Sequence, residues 1–263
     1  MGFNEAYKVW RNQARRYTVA SLIEKALQLI RRPAADKVEA LRIAPWQLLL
    51  MVKWACQDRM ANLRVGEEIP DQKFDELRQH LWDLPSVCDL WARDTLPGQL
   101  FFRQLIRPQI DYQRRPTPGM LREAALLATQ PGNSRLRRQF TDKTGLGVEQ
   151  FMGMAYAVYS EVSHGAVDFN NDSFAALRER YSGQAVEAFV RNISLDFDGL
   201  VGMFRDLPDA GEKVASEYYE SSPLRRFPLF RVGNELLLWH PTVLYRGLEG
   251  FVHSVLAEEG QAY

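Results

Sequence analysis

The chain has 263 residues, of which 46% are hydrophobic and 25% charged, a composition that is ordinary for a globular protein and argues against disorder. The opening segment MGFNEAYKVW lacks the apolar stretch of a signal peptide, and the longest apolar run, residues 43–52, is far shorter than the roughly 18 residues that indicate a membrane span. We therefore expect a cytoplasmic protein without a membrane contact. Cys56 and Cys88 stand apart without a CxxC motif, which argues against a disulfide framework or zinc knuckle and predicts two core residues.

The formal net charge is zero, but charges of one sign are grouped along the chain. Residues 1–64 hold twelve Lys or Arg against five acids, and residues 103–147 hold nine against three. Acids dominate in the two blocks that follow these: residues 65–102 hold eight acids against three bases, and residues 148–222 hold thirteen against five. Such blocks either neutralise one another inside the fold or offer a basic surface to an anionic partner, and we favour the first interpretation.

Apolar residues recur at helical spacing almost throughout, which predicts a mainly α protein, a multi-helix bundle of about ten helices. The first helix is predicted from near Asn4 to Arg32, where Pro33 ends it. Pro45 opens a strongly apolar helix in the first-turn position that proline tolerates. Asp71 begins the next helix, which ends near Ser86 and carries its apolar residues on one face. These residues are Phe74, Leu77, Leu81 and Leu84.

The second half continues the helical pattern. Gly145 is expected to end one helix, and the segment VEQFMGMAYAVYSEVSHG to form a long apolar one. Asp172, Ser182 and Ser194 each occupy a position where a helix N-cap belongs. Basic, Pro- and Gly-rich sequence near residues 115–147 divides the chain into an N-terminal helical part, 1–115, and a C-terminal helical part, 116–263; one continuous domain is the alternative.

One segment, FPLFRVGNELLLWHP at residues 227–241, predicts a β-hairpin spanning residues 226–239. Its two apolar runs flank Gly233 and Asn234, residues that accept the positive φ of a tight turn. Because a lone hairpin is only marginally stable in water, helices must cover its apolar face, and the helix begun by His240 and Pro241 is expected to pack on it. We expect its outer edge to be available for strand addition by a partner.

That last helix carries the sharpest catalytic hypothesis. Arg246 and His253 are seven positions apart, so they share a helix face, opposite the apolar stripe. This pair resembles the Arg-x6-His motif of the HEPN superfamily of small helical RNases, which attack RNA through its own 2′-hydroxyl without a metal. The residue after Arg is usually polar in that family, and here it is Gly247. Random placement of the His and Arg residues predicts roughly one such pair, so an RNase is the alternative and no catalytic residue is our first prediction.

A run of arginines is the candidate binding surface for nucleic acid or a protein partner, because the planar guanidinium suits phosphates and carboxylates. Its members are Arg103, Arg107, Arg114, Arg115, Arg135, Arg137 and Arg138. His164 has Asp168 and Asp172 nearby, but their spacing across Gly165 is poor metal geometry, and we predict no metal site. The chain carries no nucleotide-binding or cofactor motif, so no cofactor is predicted.

The segments EYYES and SPLRRFPLFRVGNELLLWHPTVLYRGLEGFVHSVL, with APW at residues 44–46, resemble large bacterial proteins of mobile-element and antiphage-defence loci. The resemblance implies a helical region that accompanies a separate effector domain, so the chain would be an N-terminal portion or a stand-alone subunit. We therefore predict a non-catalytic helical binding and assembly module, a subunit or region of a bacterial antiphage-defence complex. Its expected partner is a protein or a second copy, with nucleic acid as the further candidate.

Overall fold

The computed structural model describes residues 3–33, 43–95, 121–170, 172–207, 217 and 222–257. These residues form twelve α-helices and a four-stranded sheet of short strands, which confirms the predicted mainly α fold with a C-terminal hairpin. The elements are α1 (Phe3–Ala14), α2 (Val19–Arg31), α3 (Pro45–Gln57), α4 (Asp71–Thr95), α5 (Arg122–Ala128), α6 (Arg135–Thr144), α7 (Val148–Ser163), β1 (Asp168–Phe169), α8 (Ala175–Tyr181), α9 (Gly183–Ile193), β2 (Ser194–Leu195), α10 (Phe197–Arg205), β3 (Leu229–Val232), β4 (Glu235–Leu238), α11 (Pro241–Glu249) and α12 (Phe251–Leu256). Across these ranges, no helix combines the length and apolarity needed to cross a membrane.

The chain divides into two compact units, each made of two chain segments. Unit 1 comprises Met1–Gln113 and Phe197–Ser222, and unit 2 comprises Arg114–Asp196 and Pro223–Tyr263. This differs from the sequence-based division, which placed all of 116–263 in the second part. The reason is that α10 packs against α3 and so returns the chain to unit 1.

In unit 1, the predicted first helix is interrupted. The structure has two helices, α1 and α2, separated by residues 15–18, where one continuous helix was expected. Thr18 is the N-cap of α2, and its hydroxyl accepts a hydrogen bond from Ser21 N–H at 3.3 Å. The N–H groups of Val19 and Ala20, which an uninterrupted helix would use internally, donate to the carbonyls of Asn62 and Leu63.

The core of unit 1 surrounds α3, whose residues are buried on nearly every side. Trp54 packs edge-on against Tyr7 and Trp10, with ring centroids 4.9 and 5.6 Å apart. Lys53 is also buried, and its Nζ lies 3.1 Å from Glu217 Oε2, which accepts a second hydrogen bond from Trp54 Nε1 at 3.0 Å. The glutamate thus compensates a charge that would otherwise be unpaired in the core.

Helix α4 buries the predicted apolar face on unit 1. Phe74, Leu77, Leu81 and Leu84 are each at most 4% exposed. The helix does not end near Ser86, as the sequence predicted, but continues to Thr95.

Unit 2 has an aromatic core centred on Phe151. The Phe251 ring stacks on it with centroids 4.4 Å apart, and Phe140 meets it edge-on at 5.8 Å. Helix α6 supplies Phe140 and ends at Gly145, which has φ +72° as the sequence predicted for a C-terminal glycine. Helix α7 supplies Phe151 and buries one side in the same core.

The hairpin forms with Gly233 at φ +59° in its turn, as predicted, but it is not isolated. The strand order is β1-β4-β3-β2: β1 pairs antiparallel with β4, and β2 pairs parallel with β3. The expectation of an outer edge open to a partner strand is therefore wrong, because both edges of the hairpin have a neighbour that satisfies backbone groups. Ser194 belongs to β2 and is not the N-cap that was predicted, whereas Ser182 is the N-cap of α9.

The last helix is broken at Gly250 into α11 and α12. His240 caps α11 as predicted, with its ring Nδ1 accepting a hydrogen bond from Thr242 N–H at 3.2 Å. Short helix α12 is held at both ends, because the Glu123 carboxylate accepts from the N–H of His253 at 3.1 Å and Lys143 Nζ donates to the carbonyl of Val255 at 2.9 Å. Both charges complement the helix dipole.

Candidate functional site

The predicted arginine surface is only partly described, and its described members differ in role. Arg103, Arg107, Arg114 and Arg115 lie outside the described residues. On α6, Arg135 and Arg138 are exposed and make no ion pair with any described residue.

Arg137 has contacts inside unit 2 that the sequence did not predict. It donates to the carbonyls of Ala128 at 2.9 Å and Gln130 at 3.3 Å, and it pairs with the Glu149 carboxylate. The side chain therefore satisfies the C-terminal end of α5 and links it to α7, a structural role that the other described arginines of the predicted surface do not share.

The alternative catalytic pair, Arg246 and His253, lies on two helices and not on one face of a single helix. Arg246 is half-buried on α11 and donates to Glu249 Oε2 at 3.4 Å, whereas His253 is exposed on α12 beyond the break at Gly250. Close packing favours glycine at position 247, since a Cβ there would lie 2.1 Å from the Arg225 carbonyl oxygen.

His164 ends α7, where its ring Nδ1 lies 2.7 Å from the carbonyl oxygen of Ser160. In the described part of the chain, no three His, Cys, Asp or Glu side chains come together in a group that could hold a metal ion.

A groove in unit 2 brings together charged residues that the sequence-based prediction did not select. We call it the arginine groove; it has a volume of about 410 Å³. Its walls come from the loop after β1, from α8 and α9, and from the hairpin. The lining residues are Asn170, Phe174, Arg178, Val186, Glu187, Val190, Arg191, Arg231, Gly233, Asn234 and Leu236.

Local turns place these elements around one groove. Asn170 Oδ1 accepts a hydrogen bond from Ser173 N–H at 3.0 Å, which fixes the loop between β1 and α8. Ser182 has φ +79° and caps α9, so the chain reverses sharply between α8 and α9. The positive φ of Gly233 closes the hairpin on the other side of the groove.

Positive charge dominates the arginine groove. Three guanidinium groups, those of Arg178, Arg191 and Arg231, line it with one carboxylate, Glu187. Arg191 is exposed and has neither a hydrogen-bond nor an ion-pair partner among the described residues. Arg231 has an ion pair with Asp196 at 3.5 Å, but both side chains are about half exposed, so this pair contributes little free energy.

The floor of the arginine groove is apolar. Phe174, Val186 and Leu236 are nearly fully buried there, and Val190 is half-buried and offers aliphatic surface. The arrangement can bind an anionic group through the guanidinium forks while an aliphatic group contacts the floor.

A second groove, of about 430 Å³, lies in unit 1 between α3 and α4. Gln47, Asp75, Arg78, Gln79 and Trp82 line it. Its charges are compensated, since Arg78 donates to Asp75 at 3.0 Å. The described lining of this groove therefore lacks the charge imbalance of the arginine groove, and neither groove is lined by Arg246 or His253.

The arginines of the groove were missed because Arg178 and Arg191 belong to the acidic block 148–222, whose net charge conceals them. Arg231 stands alone between apolar strand residues. Helical spacing is the sequence signal that could have found this groove. Glu187 and Arg191 are one helical turn apart and form a charged row on α9. Val186 and Val190 have the same spacing and form an aliphatic row beside it.

Comparisons of this chain with protein-family models, curated proteins and solved structures found no match.

Proposed function

We propose that this chain is a non-catalytic binding and assembly module that contacts a protein partner through the arginine groove. One observation carries the proposal: three guanidinium groups with one carboxylate share an open groove over an aliphatic floor. Of the eleven lining residues, Glu187 is the only carboxylate, and none is Ser, Thr, Cys, His, Lys or Tyr. The groove thus offers groups that bind an anion and lacks a nucleophile with a neighbouring base.

The proposed setting is a bacterial antiphage-defence complex, in which this chain would hold an effector carried by the same or another polypeptide. The support is the resemblance of the C-terminal segments, beginning EYYES, to proteins of such loci. An assembly role is compatible with the neutral net charge, which gives no overall attraction to nucleic acid.

Site-specific photocrosslinking in the source cells tests this role. Glu187 lies on the exposed wall of the groove, so a photoreactive amino acid in its place should form a covalent adduct with one protein partner. Glu161 on α7 is exposed and does not line the groove, which makes it the matched position for a control. We expect the adduct at residue 187, its loss when Arg191→Glu is added, and no such adduct at residue 161.

An RNA assay separates the proposal from the RNase alternative. We expect the purified chain to leave single-stranded RNA intact over hours. Cleavage that disappears in His253→Ala, with folding preserved, would show that the chain is a catalyst and would overturn the non-catalytic proposal.

A further inference from the structure

We infer that the arginine groove recognises an extended acidic peptide segment of the partner, whose carboxylates meet the three arginines while one aliphatic side chain packs beside Val190. This inference rests on the proposed function and adds the chemistry of the partner.

Charge complementarity selects the acidic part of the segment. The guanidinium of Arg191 has no partner in the described part of the chain, and its planar fork matches a carboxylate in a two-hydrogen-bond geometry. Arg231 shares its charge with Asp196 at 3.5 Å, a long contact that an incoming carboxylate can replace. The described lining side chains are three arginines and one glutamate, a formal charge of +2 that the Asp196 carboxylate beside Arg231 partly offsets.

The floor selects an aliphatic contact and argues against nucleic acid. Single-stranded nucleic acids bind on exposed aromatic rings that stack with the bases. Among the described lining residues Phe174 is the only aromatic one, and at 3% exposure its ring is not offered to a base.

The paired edges of the sheet argue against binding of the segment as an added strand. Both edges of the hairpin are paired, and the outer strands β1 and β2 have two residues each, which gives an added strand almost no ladder to join. Recognition therefore depends on side chains, and single charge reversals should remove most of the affinity.

Selection from random heptapeptides displayed on phage tests the inference with the full-length chain as bait. We expect enrichment of peptides with two or more Asp or Glu around Leu, Ile or Met. The best peptide, fluorescently labelled, should bind with at least tenfold lower affinity to Arg191→Glu. The matched control is Arg122→Glu, an exposed helical arginine of the same unit outside the groove, which should bind like the original protein.

A variant that gains affinity excludes misfolding as the explanation, because a misfolded protein would not bind the peptide more tightly. Glu187→Lys removes the only carboxylate of the groove and should tighten binding of the same peptide several-fold. Absence of any enrichment, enrichment unchanged by Arg191→Glu, or competition by a dT12 oligonucleotide at equal concentration would overturn the inference. If these failures occur while the Arg191-dependent photocrosslink at residue 187 persists, the proposed function stands and only the partner chemistry is wrong. If the crosslink is also absent, the proposed function fails as well.

Discussion

At the scale of single residues, several arginines of unit 2 stabilise the fold, and their sequence context does not distinguish them from arginines with free guanidinium groups. The Arg226 guanidinium lies 4.5 Å from the Phe251 ring centroid and 4.9 Å from that of Phe227, and it donates to the carbonyl of Asn192 at 2.5 Å. Arg135 on α6 has no such contacts. Arg226 follows Arg225, and Arg135 is two positions before Arg137, so only the three-dimensional environment separates a structural arginine from an available one.

Cys56 gives a prediction on pH dependence. Burial raises the pKa of its thiol from 9.0 to about 12, while the charge of Arg205 lowers it by a smaller amount. Between these two pH values the unfolded thiol ionises while the folded thiol stays protonated, so the unfolded state binds fewer protons and stability falls as pH rises. The thiol contributes a slope of at most about 1.4 kcal/mol per pH unit, fully present only between the two pKa values.

The measurement is urea unfolding between pH 8 and 10.5 for the original protein and Cys56→Ala. We expect the free energy of unfolding to fall more steeply with pH in the original protein, because the variant lacks this thiol while all other titrating groups are shared. Equal slopes for the two proteins would contradict the assignment of Cys56 as a protonated core residue.

At the scale of elements, two helical glycines should respond to the same substitution with opposite sign. In α11, a Cβ on Gly247 would lie 2.1 Å from the backbone carbonyl oxygen of Arg225, which cannot move without shifting the chain. In α10, a Cβ on Gly202 would meet nothing within 4 Å. Alanine is favoured over glycine inside a helix by about 1 kcal/mol, so only the packing distinguishes the two sites.

We therefore expect Gly202→Ala to raise the free energy of unfolding by about 1 kcal/mol. Gly247→Ala should lower it by about 1–3 kcal/mol, the usual range for overpacking. Urea denaturation of both variants beside the original protein measures each change. A stabilised Gly247→Ala variant would mean that α11 does not approach residue 225 as closely as described.

Many helix and hairpin positions could be predicted from local sequence, and the predictions that were wrong concern features that depend on distant segments of the chain. Helical spacing predicted the apolar face of α4, and the pair at residues 233 and 234 predicted the hairpin turn, since both depend on neighbours in the chain. The break between α1 and α2 was missed because it depends on carbonyls of Asn62 and Leu63, far along the chain. Strands β1 and β2 have two residues each and show no alternation to detect. The arginine groove was missed for the same reason, because its walls come from segments that are separate in sequence.

At the scale of the whole molecule, the charge blocks neutralise one another in part. Between residues that the structure describes, four ion pairs join a basic block to an acidic one, each within a single unit. These pairs are Lys25 with Asp71, Lys53 with Glu217, Arg64 with Asp198, and Arg137 with Glu149. They support the interpretation that the blocks compensate one another inside the fold.

The division into units predicts that unit 2 folds without unit 1. Its hydrophobic core extends from Leu121 to Val255 and includes none of the described residues of 197–222, although that segment interrupts it in the chain. A core that is complete within one unit should suffice for cooperative folding. Residues 223–263 are required, because they supply Phe251, which stacks on Phe151.

The test is a shortened chain in which residues 1–113 are removed and residues 197–222 are replaced by a Gly/Ser linker of about twenty residues, with a root-mean-square reach of about 25 Å. We expect a single cooperative urea transition and a near-ultraviolet circular dichroism signal from the packed aromatic rings. The same chain ending at Asp196 should show neither, since it lacks the hairpin, α11 and α12. Binding of a hydrophobic dye and loss of the near-ultraviolet signal in the longer chain would mean that unit 2 depends on unit 1 for its packing.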